Sequence, residues 1–329
     1  MRYLVSLSQM DLRQLKALVA IADNGSFSAA ADVLLTVQSN VSAHVKKLER
    51  ELGTTLVDRS SGTLTSTGEL AVARARRVEA ELTSLQADIR ALQHEVTGTV
   101  RVGIIGTTAR WLVPQLLDVS PLRFPDLRLV FVESTTRTLE GQLDSGYVDV
   151  AVLNVPHTSH DLLLVPLFEA ELVLVAERGH PLLASGKVKV HDLAGIPLLL
   201  PLKGTAFRKE LDDAVAPLDV ALTARAEVDS TRLIASLTFE GYGPAILPAT
   251  AIPMYLRDRW ASAQIAEIPP RIVGVAQRPR TLPSAPVRAV LDMLTEIVFD
   301  SPALPWGLRA MPPDRFRTWA PSSRQVPAT

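Results

Sequence analysis

Gln38, Ser39, Asn40, Ser42, Ala43 and Lys46 share a stretch of chain whose remaining pattern is apolar at helical spacing. Val41, Val45, Leu48 and Leu52 recur at the intervals that put them on one buried stripe of a helix over Gln38–Leu52. The polar set then falls on the opposite face or at the exposed start. Its chemistry is that of reading base edges. A carboxamide spans the donor and acceptor of adenine, a hydroxyl serves bases or phosphates, and a small alanine lets a thymine methyl approach. Lys46, Lys47 and Arg50 are spaced to meet phosphates. The pattern predicts a helix that enters a major groove. On periodicity alone, an ordinary small helical domain with a solvated polar face fits equally well.

The flanking residues supply the elements that would position such a helix. Leu12, Leu15, Leu18, Val19 and Ala22 predict a helix from Asp11 to the Asn24–Gly25 stop. Ser26 is placed to cap a second helix carrying Phe27, Ala30, Ala31 and Leu34, and the two alanines let helices cross closely. Ser26 and Ser28 join the set expected to face DNA. Val37, just before Gln38, has no capping atom, so Thr36 is the expected substitute. After Gly53, the segments Leu56–Arg59 and Thr63–Thr65 around Ser60–Gly62 predict a short hairpin. Arg59 there is expected to meet a phosphate or the minor groove.

Ser66 and Glu69 have capping-box spacing and open a long helix, expected over Ser66–Val96. Ala71, Ala75, Val78, Leu82, Leu85, Ile89, Leu92 and Val96 form a narrow seam in alternating steps of four and three. A helix that packs only on its own domain shows a wider stripe, so the seam predicts self-association. Val78, Leu82, Leu85, Ile89 and Leu92 are the expected dimerisation residues. Pairing would present two heads to two half-sites and double the phosphate contacts.

Those contacts have to be local, because the net charge of the 329 residues is −1. With no cysteine, disulfides, thiolate metal sites, a cysteine nucleophile and thiol redox sensing are excluded. No run reaches the roughly 18 apolar residues of a membrane span. The first residues lack a convincing cleavage site, so a cytoplasmic location is expected.

Beyond Gly98 the period changes. Strands are expected at Thr99–Ile105, Arg128–Val132 and Val148–Leu153, with helices after Gly106 and over Thr138–Ser145. The series restarts with strands at Leu172–Ala176, Pro197–Leu200, Ala224–Val228 and Ala245–Leu247. Strand Arg271–Ala276 and helix Pro286–Phe299 then return to the first lobe. Two lobes make a cleft, the usual seat of a small ligand. Its expected contacts are strand-to-helix corners: Thr107 and Thr108, Thr135 and Thr136, Pro201, Thr205 and Phe207, and Thr231. The backbone amides at such a corner favour an anion, so a carboxylate is the expected ligand chemistry. Each threonine taken singly is also explained by helix capping. Thr107 is the leading residue.

From Met10–Leu15 through Gly25–Ala31, Gln38–Ser42, Leu48–Glu49, Leu52–Gly53, Leu56, Arg59 and Leu64–Thr65, the chain resembles the LysR-type transcriptional regulators. Leu143–Ala151, Phe168–Leu172, His180–Leu182 and Gly241–Pro248 resemble that family's effector domain. The resemblance implies an N-terminal all-α winged helix-turn-helix over 10–67 and a linker and dimerisation helix over 68–96. It also implies an α/β two-lobed, periplasmic-binding-protein-like effector domain over 97–300. Lobe I is expected over about 97–165 and 268–300, and lobe II over about 166–267. Residues 301–329 are expected to be a flexible tail, which Trp306 and Trp319 could dock locally, and Met10 the start of the family pattern. The implied partners are double-stranded promoter DNA, a second copy or a tetramer of the chain, and RNA polymerase if it activates. Neither a cofactor nor a membrane is implied. Val37 and Ala43 depart from the family's usual serine and basic residue, which puts the DNA sequence preference in doubt.

Other chemistry has less behind it. His157 and His160 lie in a polar loop with only Asp161 nearby, so metal binding is not expected. Gly241 and Gly243 lack the third glycine of a dinucleotide fingerprint, and no P-loop or nucleophile elbow occurs, so no catalytic residue is assigned. A solute receptor would need export. An enzyme on the same lobes would need a convergent catalytic set.

Overall fold

A computed structural model describes residues 10–311 except 61, 94, 156–161, 185, 254–258, 279–282 and 302–303. The metal reading of His157 and His160 therefore lies outside the described residues.

Three helices build the head: α1 (Leu12–Asn24), α2 (Phe27–Val33) and α3 (Gln38–Leu52). Asp11 caps α1 by accepting from the Arg13 and Gln14 amides, and the Gln14 side chain returns the bond. The Gln14 amide holds the Asp11 carboxyl below the usual carboxylate range. Ser26 caps α2 through the Ala29 amide, as expected. Leu18, Ile21, Ala30, Ala31, Val41, Val45 and Leu48 close the core. α3 begins without a side-chain cap: Val37 has none to give, and the Thr36 hydroxyl accepts from the Asn40 side chain instead. The expected substitute cap is thus diverted to a side chain. The hairpin shrinks to one bridge, Val57 to Leu64, backed by Asp58 N to Thr63 O at 2.8 Å and Thr65 N to Leu56 O at 2.9 Å.

The long helix α4 (Ser66–Ala91) is capped by Thr65, one residue earlier than expected, through the Gly68 amide. Gly68 is obligatory there: a Cβ would lie 2.0 Å from the Leu56 carbonyl oxygen. Only part of the seam is open. Ala75 is buried and Ala71 half-buried, and Ala71 with the neighbouring buried Val72 packs on the head's own core. The helix ends at Ala91 rather than Val96, and Val96 packs into the core of the first sheet.

Among the described residues, strands numbered in chain order form two six-stranded sheets. The first contains β1 (Gly98–Ile104), β2 (Leu127–Glu133), β3 (Val150–Val155), β4 (Leu163–Ala170), β11 (Arg271–Gln277) and β12 (Leu308–Ala310). Their order is β12-β4-β11-β3-β1-β2, with β1 parallel to β2 and β3 and the β11 and β12 pairings antiparallel. The second contains β5 (Leu172–Glu177), β6 (Lys187–Val188), β7 (Pro197–Pro201), β8 (Thr223–Val228), β9 (Ala245–Pro248) and β10 (Trp260–Ile265), in the order β6-β10-β5-β9-β7-β8. Helices α5 (Gly106–Arg123), α6 (Thr136–Ser145) and α9 (Ala285–Phe299) accompany the first sheet. α7 (Ala206–Val215) and α8 (Thr231–Phe239) accompany the second.

Two boundaries differ from expectation. β4 carries the first sheet to Ala170, so the crossover falls at Glu171 rather than near 165. The tail also contributes structure. β12 pairs with β4, with Glu171 N donating to Gly307 O and Met311 N to Leu167 O, each at 2.8 Å. Arg309 adds an ion pair to Glu169.

Candidate nucleic-acid interface and effector cleft

α3 presents the face its spacing predicted. Val41, Val45 and Leu48 are wholly buried, while Gln38, Ser39, Asn40, Ala43 and Lys46 are exposed. Ser26 and Ser28 are exposed at the start of α2. Ser42 is half-buried because its hydroxyl accepts from Arg59 Nη1 at 3.1 Å. Lys47 stands apart: its ammonium lies 3.8 Å from Asp11 and 3.9 Å from Glu51, so it is shared with acidic side chains of the head. An uncapped helix start with exposed carboxamides and hydroxyls, flanked by Lys46 and Arg59, can bond base edges and phosphate oxygens together.

Along α4, Val78 is 42% exposed, Leu82 39%, Leu85 59% and Ile89 55%, an apolar strip with no cover among the described residues of the single chain. Leu92, 80% exposed, lies past the helix end. Met10 and Leu12 are also exposed, and with Val78 they line one surface hollow.

The opposite flank of α4 docks on the first lobe through helix ends. The Asp88 carboxylate accepts from the Ala285 amide at 2.7 Å, where Ser284 makes no side-chain cap for α9. Arg77 donates to the Asp144 carbonyl and Arg278 to that of Leu143, both at the last turn of α6. An acid at a helix start and cations at a helix end both complement the macrodipole. Arg76 pairs with Asp23 of α1 and lies 5.3 Å from the Tyr147 ring centroid, and Arg101 lies 5.0 Å from the same ring. These groups border a cavity of about 460 Å³ between head, linker and lobe. Burial pushes the Asp149 and Glu79 carboxyls up there, and at the end of α6 it pushes the Arg278 guanidinium down.

At the strand-to-helix corners, the threonines divide. Thr107 and Thr108 open α5 and are 8% and 1% exposed, with Ile105 as an N-cap that offers no side-chain bond. Beside them, Arg232 of α8 pairs with Glu133 at the end of β2, joining the two lobes. A Cβ on Gly106 would meet Glu133 Oε1 at 2.6 Å and Arg232 Cδ at 2.9 Å, so this pair sits directly on the first residue of α5. Thr231 neighbours Arg232 and begins α8, which packs against α5.

The remaining predicted contacts are occupied locally. Thr135 caps α6 through the Thr138 amide, and the Thr136 hydroxyl accepts from the Asn154 amide. Thr205 caps α7, and the buried Pro201 gives its carbonyl to Arg208. Phe207, expected as a corner contact, packs instead in the core of the second sheet, with the Arg271 guanidinium 4.3 Å from its ring centroid. It reads as a corner residue in sequence, but the α7 periodicity turns it inward with Leu211 and Val215. Glu133 and Arg232 were missed because their pairing spans distant parts of the chain.

The chain matches two family models: "Bacterial regulatory helix-turn-helix protein, lysR family" over residues 12–69, and "LysR substrate binding domain" over residues 93–298. It is 30% identical over 294 residues to the "DNA-binding transcriptional dual regulator OxyR" of Escherichia coli, covering 88% of this chain and 95% of that one. It is 29% identical to the "Hydrogen peroxide-inducible genes activator" of Pectobacterium carotovorum, covering 88% and 96%. Among solved structures, a full-length OxyR cysteine-to-aspartate variant from Pseudomonas aeruginosa superposes with a TM-score of 0.71 at 27% identity, covering 88% and 95%. The regulator CbnR bound to its target DNA shares the fold, with a TM-score of 0.63 at 23% identity, covering 88% and 99%.

Proposed function

The chain belongs to the LysR family of DNA-binding transcription regulators, and from that premise we propose how it reads DNA and what it senses. The carrying observation is the exposed start of α3, where Gln38, Ser39 and Ala43 face outward beside Lys46. We assign base reading to Gln38, Ser39, Asn40 and Ala43. Backbone contacts fall to Ser26, Ser28, Ser42, Lys46 and Arg59, with Lys47 in a lesser part. Two copies joined along Val78, Leu82, Leu85, Ile89 and Leu92 would set two heads on a pseudo-palindrome. A cytoplasmic location, a contact with RNA polymerase in the case of activation, and the lack of a catalytic reaction belong to the same reading.

The effector is assigned to the cleft at Thr107, Thr108 and Thr231. A carboxylate there would compete with Glu133 for Arg232 and meet the first amides of α5. Relatives are named for hydrogen peroxide, but a chain without cysteine cannot sense it by thiol oxidation. A small acid bound non-covalently is the reading the composition supports.

The test is retardation of the gene's own upstream fragment by purified protein, with and without a panel of small carboxylates and with peroxide. Salt-sensitive binding that responds to an acid and ignores peroxide is the expected result. Failure to bind the fragment removes the DNA assignment, and a peroxide response removes the effector assignment.

A further inference from the structure

We infer that Glu49 is a positioning residue for DNA recognition, holding the Arg59 guanidinium beside Ser42 on α3; this rests on the reading of α3 and Arg59 as DNA-facing. Glu49 sits on α3 with its side chain only 13% exposed. Its Oε1 accepts from the Leu56 amide at 2.9 Å and the Val57 amide at 3.2 Å. Leu56 and Val57 are wholly buried, so one carboxylate oxygen already meets the structural need of that turn.

The second oxygen does something else. Oε2 accepts from Arg59 Nη2 at 3.3 Å, while Nη1 of the same guanidinium donates to Ser42 Oγ at 3.1 Å. The Phe27 ring centroid lies 5.8 Å from the guanidinium carbon. Two of the five guanidinium N–H groups are thus taken, and among the described residues the others have no partner, so they can meet a phosphate or base edge. The Arg59 side chain is 47% exposed, yet it is held from two elements besides its own hairpin, α2 and α3.

A carboxylate on a surface meant for a polyanion repels it. The arrangement becomes intelligible if Glu49 exchanges some raw attraction for placement. A long, freely rotating arginine attracts any duplex. One clamped beside Ser42 meets a phosphate in only one register of the recognition helix, which favours the correct site.

Glu49→Gln separates the two tasks. Its carboxamide oxygen can still accept from the Leu56 and Val57 amides, while its NH₂ replaces the acceptor facing Arg59. Affinity should be measured for the operator and for an unrelated duplex of equal length, alongside the melting of the DNA-free protein. The expected result is about a tenfold loss on the operator, unchanged or tighter binding of the unrelated duplex, and near-parental melting. Arg59→Ala in the Glu49→Gln background should add less than about threefold, since the two residues act as one unit. An unchanged operator preference, or losses that multiply, overturns the inference. If Glu49→Gln melts well below the parent, Arg59→Lys decides, because lysine lacks the planar fork that reaches Ser42 and Glu49 through separate nitrogens; retention of full preference by that variant also overturns it. Parental operator affinity in Arg59→Ala alone would instead remove Arg59 from the DNA contacts, a failure of the underlying reading.

Discussion

At the scale of single residues, position along α3 distinguishes two roles. Gln38 is exposed at the uncapped helix start, where its carboxamide can turn to a base edge. Lys46 is an exposed charge farther along. Gln38→Ala should therefore cost about 1–3 kcal/mol against the preferred operator and relax choice at one base pair. Lys46→Ala should weaken all duplexes alike and lower the salt slope by about one unit. Retardation of operator variants over a salt series checks both. Equal losses across every sequence from both variants would contradict this division of roles. The residue scale is also where sequence reading was weakest. Phe207 looked like a corner contact and lies in a core, and the Glu133–Arg232 pair left no local trace.

At the scale of elements, α4 carries two different faces. Its open strip of Val78, Leu82, Leu85 and Ile89 presents apolar surface to solvent. Leu82→Glu should raise the dimer dissociation constant at least about a hundredfold, roughly 2.7 kcal/mol, by placing a charge in the seam. Sedimentation at micromolar concentration reads this out, and an unchanged dimer would mean that the copies meet elsewhere. The other face docks by charge on helix ends, through Asp88 and Arg77. The seam was legible because alternating steps of four and three encode a stripe directly. The end of the helix was not, since Val96 continues the period but is drawn into the first sheet's core. Likewise β1, β2 and β5 were visible as apolar runs, whereas β10 and β12 are strands only because a neighbouring strand supplies their bonds.

At the scale of the whole molecule, Arg232 and Glu133 tie one lobe to the other. Their side chains are 59% and 41% exposed, so the pair itself contributes at most about 1 kcal/mol to stability. It lies over the first turn of α5, so with the effector site proposed there it would influence ligand response more than folding. Arg232→Gln should leave the melting temperature within a few degrees of the parent while shifting the half-maximal effector concentration several-fold. Calorimetry and retardation together check this, and a large fall in melting with an unaltered ligand midpoint would make the pair merely structural. The two-lobed order was readable from alternating strands and helices. The exact crossing at Glu171 was not, because this single residue separates β4 from β5 and no glycine or proline marks a turn there.

β12 covers β4 at the outer side of the first sheet. A chain cut before residue 304 would leave the backbone groups of β4 from Leu167 to Ala170 facing water along a bare margin. Such a margin is a template for the same strand of another molecule, so shortened versions would tend to stack edge to edge and precipitate.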